Sequence, residues 1–192
     1  MTMTRLTPPP ALAQMQADTV ALCFSMASEP EVGALLRTLA ATKPGGVVLE
    51  LGTGTGLATA WLLDGMDDAA HLITVDNDPA AVAIARRHLA SDARLQFHVM
   101  DAAELLPTLA PASVDLILAD TWAGKYTHLD AALRLLKPGG LYVIDDMLPQ
   151  PNWPAGHEVK VAHLLAELTV RTDLVVVQLA WASGVVVTTK RS

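Results

Sequence analysis

The feature that most constrains this chain is the stretch Val47-Val48-Leu49-Glu50-Leu51-Gly52-Thr53-Gly54-Thr55-Gly56. A short apolar run bounded by turn residues reads as a buried strand. The three alternate glycines read as a tight loop feeding a helix over residues 57–63. Glycine is needed where the backbone turns with positive φ or where a ligand presses on the main chain. Free N–H groups at the start of the next helix suit an anionic ligand group.

The rest of the chain continues the alternation. A strand over 72–75 ends at Asp76, and Asp78-Pro79 caps a helix to about Leu89. A strand over 95–99 ends at Asp101 and is followed by a short helix around Leu105 and Leu106. A strand over 114–119 ends at Asp120. A helix then runs to about Leu136, closed by Lys137-Pro138-Gly139-Gly140. A strand over 141–144 ends at Asp145-Asp146, and a proline-rich loop over 148–156 leads to a helix ending near Val170. Segments 174–180 and 185–189 flank Ser183-Gly184 as an antiparallel hairpin. Ahead of the glycine loop, Leu12, Met15, Thr19, Leu22, Cys23 and Met26 recur at helical spacing. Ser28-Glu29-Pro30-Glu31 reads as a capping box opening a second helix, with Val32, Leu35, Leu36 and Leu39 on its apolar face. Lys43-Pro44-Gly45-Gly46 stops it.

Strands alternating with helices specify a mostly parallel sheet covered on both faces. The expected fold is α/β: a doubly wound, Rossmann-like sheet, mostly parallel with a C-terminal antiparallel hairpin, preceded by two N-terminal helices. One domain is expected over 1–192, with a helical segment over 1–43 and the core over 44–192. At 192 residues and 52% apolar, the chain has enough material for a sizeable core.

Charge and composition exclude several classes. Net charge is −7, and no basic run exceeds a pair such as Arg86-Arg87, which argues against nucleic acid and against an anionic membrane surface. No apolar run approaches the ~20 residues of a membrane span. Residues 1–10 hold one Arg and three prolines with no apolar core, so they are not read as a signal peptide. Cys23 has no disulfide partner in the chain and is expected to be a buried structural thiol. A cytoplasmic location is the expectation.

In open sheets of this kind, ligands bind beyond the carboxyl ends of the strands. Those ends carry Glu50, Asp76, Asp101, Asp120, Asp145 and Asp146. Burial alone has no use for such a set. The E-x-G-x-G-x-G form of Glu50 to Gly56 departs from the dinucleotide G-x-G-x-x-G pattern, because Leu57 stands where that pattern wants glycine. It resembles motif I of the class I S-adenosylmethionine-dependent methyltransferases, and the later motifs follow in that family's order. The resemblance implies that Glu50, Gly52, Thr53, Gly54, Thr55 and Gly56 wrap the amino-acid end of S-adenosylmethionine. Asp76, with Asn77 beside it, would grip the ribose hydroxyls. Asp101 and Ala102 would meet the adenine, and Asp120 would be a further cofactor contact. Asp78 reads as a helix cap. An acidic cleft suits a sulfonium cation, whereas a nicotinamide dinucleotide would want its phosphates unopposed by carboxylates.

The second half resembles the metal-dependent branch related to catechol and caffeoyl-CoA O-methyltransferases. The likeness is carried by Glu31 to Leu36, by Asp120 with Tyr126 six residues on, by Leu136 to Leu141, and by Asp145-Asp146. In that branch Asp120, Asp145 and the residue at 146 would hold a divalent cation. Three oxygen donors suit Mg²⁺, Mn²⁺ or Ca²⁺. Two departures stand out. The branch has Asn where this chain has Asp146, and Lys where it has Ala123, so that Lys125 is the nearest lysine. Asp120 and Lys125 are the catalytic candidates. Lys125 could reach the acceptor from a loop but would point elsewhere from a regular helix. Trp122, Tyr126, Trp153 and His157 are candidates for an acceptor slot. No role is read for His71, His88, His98, His128 or His163.

Two readings remain. One is an O-methyltransferase acting on a small hydroxylated, catechol-like acceptor, with a metal-independent variant as its rival. The other is a cofactor-binding regulator of the same fold. No nucleic-acid or membrane partner is expected. The apolar leading helices are expected to pack on the domain or across a two-fold homodimer interface.

Overall fold

The computed structural model describes residues 7–192, so residues 1–6 of the expected N-terminal arm lie outside it. Seven strands form one sheet in the order β3-β2-β1-β4-β5-β7-β6. They are β1 (Val47–Leu51), β2 (His71–Asp76), β3 (Leu95–Val99), β4 (Val114–Ala119), β5 (Leu136–Ile144), β6 (Leu174–Leu179) and β7 (Val185–Lys190). All pairings are parallel except those of β7, which runs antiparallel to both β5 and β6. The expected sheet and its terminal hairpin are both present.

Helices cover both faces. On one side α1 (Leu12–Ala21), α2 (Pro30–Ala41), α3 (Leu57–Gly65) and α4 (Pro79–Leu89) pack Leu12, Met15, Leu36, Trp61 and Leu89 against Val48, Leu116, Leu118 and Val143. On the other, α5 (Ala102–Leu105), a 3₁₀ turn over Leu106–Thr108, α6 (Leu129–Leu135) and α7 (His157–Val170) pack Leu105, Leu133, Leu164 and Leu168 against Leu49, Leu51, Ile117 and Tyr142. The assignments follow the two-residue period of a strand, with even positions of β1 facing one layer and odd positions the other. No helix among the described residues is long and apolar enough to cross a membrane.

Four sequence expectations need correction. The first helix stops at Ala21 rather than reaching Met26, because Cys23 turns left-handed (φ 58°) and its N–H closes back on Val20. Cys23 is therefore exposed, not a buried thiol. Leu22 and Met26 are exposed too, while Leu12, Met15, Val32 and Leu36 pack on the domain itself. The capping box does not form. Pro30 opens α2, so its N-cap is Glu29, with no side-chain cap, and Ser28 falls one residue too early. Finally, Lys137-Pro138-Gly139-Gly140 does not separate helix from strand. It bulges within β5, where the register jumps from Val114↔Leu136 to Leu116↔Leu141.

Candidate active site

β1 and β4 are neighbours, and the chain runs outward from them in opposite directions, to β2 and β3 on one side and to β5 on the other. Ligands of open α/β sheets bind at this switch point. Gly52 makes the junction. Its φ is +107°, and a Cβ there would stand 2.7 Å from the Asp120 carbonyl oxygen. Only glycine lets the ends of β1 and β4 approach so closely. A cavity of about 600 Å³ opens at this point.

One end of the cavity carries the expected cofactor residues. Gly52, Thr53, Gly54 and Thr55 form one wall, Asp76 and Asn77 continue it, and Asp101 and Ala102 lie beyond. Asp76 is tied in by the backbone: Oδ2 accepts the Gly54 N–H at 2.8 Å and Oδ1 accepts the Asp78 N–H at 2.9 Å. It thus braces the glycine loop while facing the cavity. Asp78 is the N-cap of α4, as expected, accepting from Ala80 and Ala81. Asp101 caps α5 through Ala103 and is exposed at the cavity rim.

Glu50 and Gly56 do not line the cavity. The strand period turns Glu50 towards α3, where it is fully buried. Its Oε2 accepts the hydroxyls of Thr59 and Thr74, each at 2.6 Å, and Thr74 in turn meets Thr53 at 2.6 Å. The carboxyl therefore anchors the loop from beneath. Burial, with Oε1 unpartnered, pushes its pKa up to about 7. Gly56 (φ +87°) caps α3, pressed against Ala85.

The other end of the cavity is built by loops. Residues 122–127 form a turn rather than the expected start of a helix. Tyr126 and Thr127 donate their N–H groups to the Trp122 carbonyl at 2.9 and 3.0 Å, and Gly124 donates to Thr127 at 2.6 Å. The buried Tyr142 hydroxyl pins the turn by donating to the Gly124 carbonyl. This turn swings Lys125 inward. Lys125 is only 4% exposed, and its Nζ donates to the Asp145 main-chain carbonyl at 2.5 Å. Ala123, where the resembling branch has lysine, is buried.

Asp120, Asp145 and Asp146 all line this end. Burial pushes the Asp120 carboxyl well above the usual range, the Asp145 charge pushes it further, and Lys125 opposes both. Asp145 is raised by burial, partly offset by the Ser183 hydroxyl and the Asp146 N–H (2.7 Å), both donating to its Oδ1. Asp146 adopts φ +63°, and its Oδ2 accepts the Trp153 indole N–H at 3.0 Å. The donor set does not fit the implied divalent cation. An ammonium lies beside Asp145, Asp145 Oδ1 and Asp146 Oδ2 are already engaged, and no group of three His, Cys, Asp or Glu among the described residues is arranged to hold a metal.

The four expected acceptor residues do come together. Tyr126 and His157 stand 5.1 Å apart between ring centroids, Trp153 and His157 4.5 Å, and Trp122 and Tyr126 5.9 Å. The Tyr126 hydroxyl meets His157 Nε2 at 2.9 Å, and burial lowers the His157 pKa, which favours neutral imidazole. Sequence reasoning missed the cover of the cavity. Residues 24–29, between α1 and α2, line it, with the Phe24 ring against Gly54 and Asn152 Nδ2 donating to the Ser25 carbonyl at 3.1 Å. Thr19 ties α1 to the loop through Thr55 at 2.8 Å. Early termination of α1 frees this strap, and Cys23-Phe24 carried no pattern that announced it. In the sequence Ser183 reads only as a turn residue.

A doubly wound sheet with a glycine-loop cleft at its switch point and acidic strand ends defines an α/β protein with its ligand cleft at the carboxyl ends of the strands. The chain belongs to the methyltransferase-domain family, whose model matches residues 49–147. A relative from Mycobacteroides abscessus, named as an O-methyltransferase, is 38% identical over 120 residues, covering 60% of this chain and 56% of the relative. The chain thus aligns with little more than half the length of the curated relatives it matches. Two solved structures share the fold. The O-methyltransferase TomG of Streptomyces achromogenes, involved in tomaymycin synthesis and in complex with S-adenosylmethionine, has a TM-score of 0.82 at 22% identity, with 99% of this chain and 92% of that one covered. A Bacillus cereus O-methyltransferase in complex with S-adenosylhomocysteine has a TM-score of 0.84 at 18% identity, with 97% and 93% covered.

Proposed function

We propose that this protein transfers the methyl group of S-adenosylmethionine to a hydroxyl of a small, flat acceptor. One observation carries the reading: a single cavity joins the glycine loop and Asp76 at one end to Asp120, Lys125 and an aromatic cluster at the other. In this reading the glycine loop over 52–55 and Asp76 hold the cofactor. Asp101 and Ala102 border its adenine, and Trp122, Tyr126, Trp153 and His157 hold the acceptor. The acceptor oxygen forms a bond to the methyl carbon as the C–S bond breaks, and the bonding pair stays on sulfur as a neutral thioether. Asp120 takes the hydroxyl proton. Its main chain packs against Gly52 of the glycine loop, which sets it close to the cofactor end, and the sulfonium charge favours its ionised form. Most of the remaining work is alignment of oxygen, carbon and sulfur. No step is routed through Mg²⁺, because the aspartates do not fit it.

The test is transfer of labelled methyl to a panel of phenols and catechols, with calorimetry for the demethylated cofactor. Binding with transfer supports the reading. Binding without transfer to any acceptor favours the non-catalytic regulator, and no binding sinks both.

A further inference from the structure

Three carboxylates at the ends of β4 and β5 repel one another unless a cation or protons intervene. The chain brings its own cation to them. Lys125 is buried, and its Nζ is hydrogen-bonded to the main chain of Asp145. A buried ammonium needs compensating groups, and here they are the Asp145 carbonyl and the nearby Asp120 and Asp145 carboxylates, whose charges it offsets. Its position is fixed by the turn over 122–127, itself pinned by Tyr142. Lys125 is therefore not a solvated side chain that happens to lie nearby. A divalent cation would need carboxylate oxygens within ~2.0–2.6 Å. Asp145 Oδ1 already serves Ser183 and the Asp146 amide, and Asp146 Oδ2 serves Trp153, but among the described residues both Asp120 oxygens stay open, so the ammonium beside them, rather than their occupancy, is what keeps a divalent cation out.

We infer that the Lys125 ammonium is the resident cation of this site, holding the acceptor's oxyanion where the resembling branch would use a divalent metal. The inference rests on the methyl-transfer reading and deepens it by naming the acceptor class. A metal with open positions clamps two adjacent oxygens and so selects vicinal diols. An ammonium has three donors, one already given to Asp145, and acts as a point charge. It holds one oxygen. The acceptor is a lone phenolic hydroxyl on a flat ring, seated among Trp122, Tyr126, Trp153 and His157, and a second hydroxyl beside it is not required.

The experiment titrates Mn²⁺ into the full chain with the demethylated cofactor present, reading free Mn²⁺ by its paramagnetic resonance signal and folding by melting. The wild type is expected to leave the Mn²⁺ signal and the melting temperature unchanged. Lys125→Met, which removes the charge and keeps the length, is expected to withdraw Mn²⁺ from solution and to melt higher with it. A wild-type chain that binds Mn²⁺ overturns the inference, as does a folded Lys125→Met that does not. Should Lys125→Met fail to fold, the wild type alone decides. Expected are rates on a monohydroxylated phenol that agree within about twofold with and without EDTA. Activity abolished by EDTA, or confined to catechols, overturns the inference. Loss of cofactor binding would instead strike the methyl-transfer reading, and calorimetry records it separately.

Discussion

The two ends of the cleft are made differently. The end proposed for the cofactor is backbone held at the strand ends: Gly52 at a strand junction, Asp76 clamped to the amides of Gly54 and Asp78, and a threonine-carboxyl chain through Thr53, Thr74, Glu50 and Thr59 beneath. The end proposed for the acceptor is side chains on loops that meet only in the folded molecule, 122–127 against 145–157 and the strap over 24–29. A surface that binds one invariant cofactor can be rigid main chain. A surface that selects an acceptor is carried by loops, which vary without disturbing the sheet. Damage at the first end should therefore reach the fold, and damage at the second should reach only acceptor use.

The largest effect is expected at Gly52. Alanine there combines positive φ with a Cβ driven into the Asp120 carbonyl, a strain of about 3–5 kcal/mol. Melting should fall steeply and cofactor binding should vanish. A Gly52→Ala protein of normal stability and affinity would show that the strand junction is not rigid.

Glu50 gives a pH signature. Its folded-state pKa of about 7 lies above its ordinary value of 4.5, so the folded protein holds the proton more tightly. That contribution to stability is fully present below about pH 4.5 and is lost as pH rises through 7. Glu50→Gln should flatten this slope between pH 5 and 8, by up to ~3 kcal/mol. Denaturant unfolding at several pH values measures it, and parallel slopes for the two proteins would remove Glu50 as the titrating group.

Asp76→Ala should weaken binding of the demethylated cofactor by ~1.5–3 kcal/mol, the range for hydrogen bonds to a charged group. Calorimetry is the check. An unchanged dissociation constant would leave Asp76 as a brace of the loop only.

The smallest effects belong to the acceptor end. Trp153→Phe removes the indole N–H from Asp146 and should alter stability by about 1 kcal/mol or less. It should raise the acceptor KM severalfold while cofactor affinity stays within about twofold. Equal losses at both ends would erase the distinction between them.

The sheet was legible because burial imposes its own period on sequence. β1 to β4 and the hairpin fall where the apolar runs predict them, with ends displaced by a residue or two. The glycine loop was legible because its positive-φ positions at 52, 54 and 56 call locally for glycine, and the Asp78 cap because it is completed by residues two and three positions on. The strap over 24–29 was not, because the end of α1 turns on a left-handed Cys23, a backbone choice that favours no side chain of that kind. Glu50 had the right neighbours in sequence but the wrong face, and only the pleat decides which layer an even position meets.

The sequence by itself thus determined a doubly wound α/β domain with its acidic strand ends and its glycine loop, since periodicity and turn chemistry act over a few residues. Tertiary structure alone decided that Lys125 is buried against Asp145, that Ser183 and Trp153 occupy the aspartate oxygens, and that Tyr126 meets His157. Those partners are 7 to 38 residues apart in the chain. No short-range rule relates them. Their meeting depends on where packed loops come to rest at the edge of the sheet.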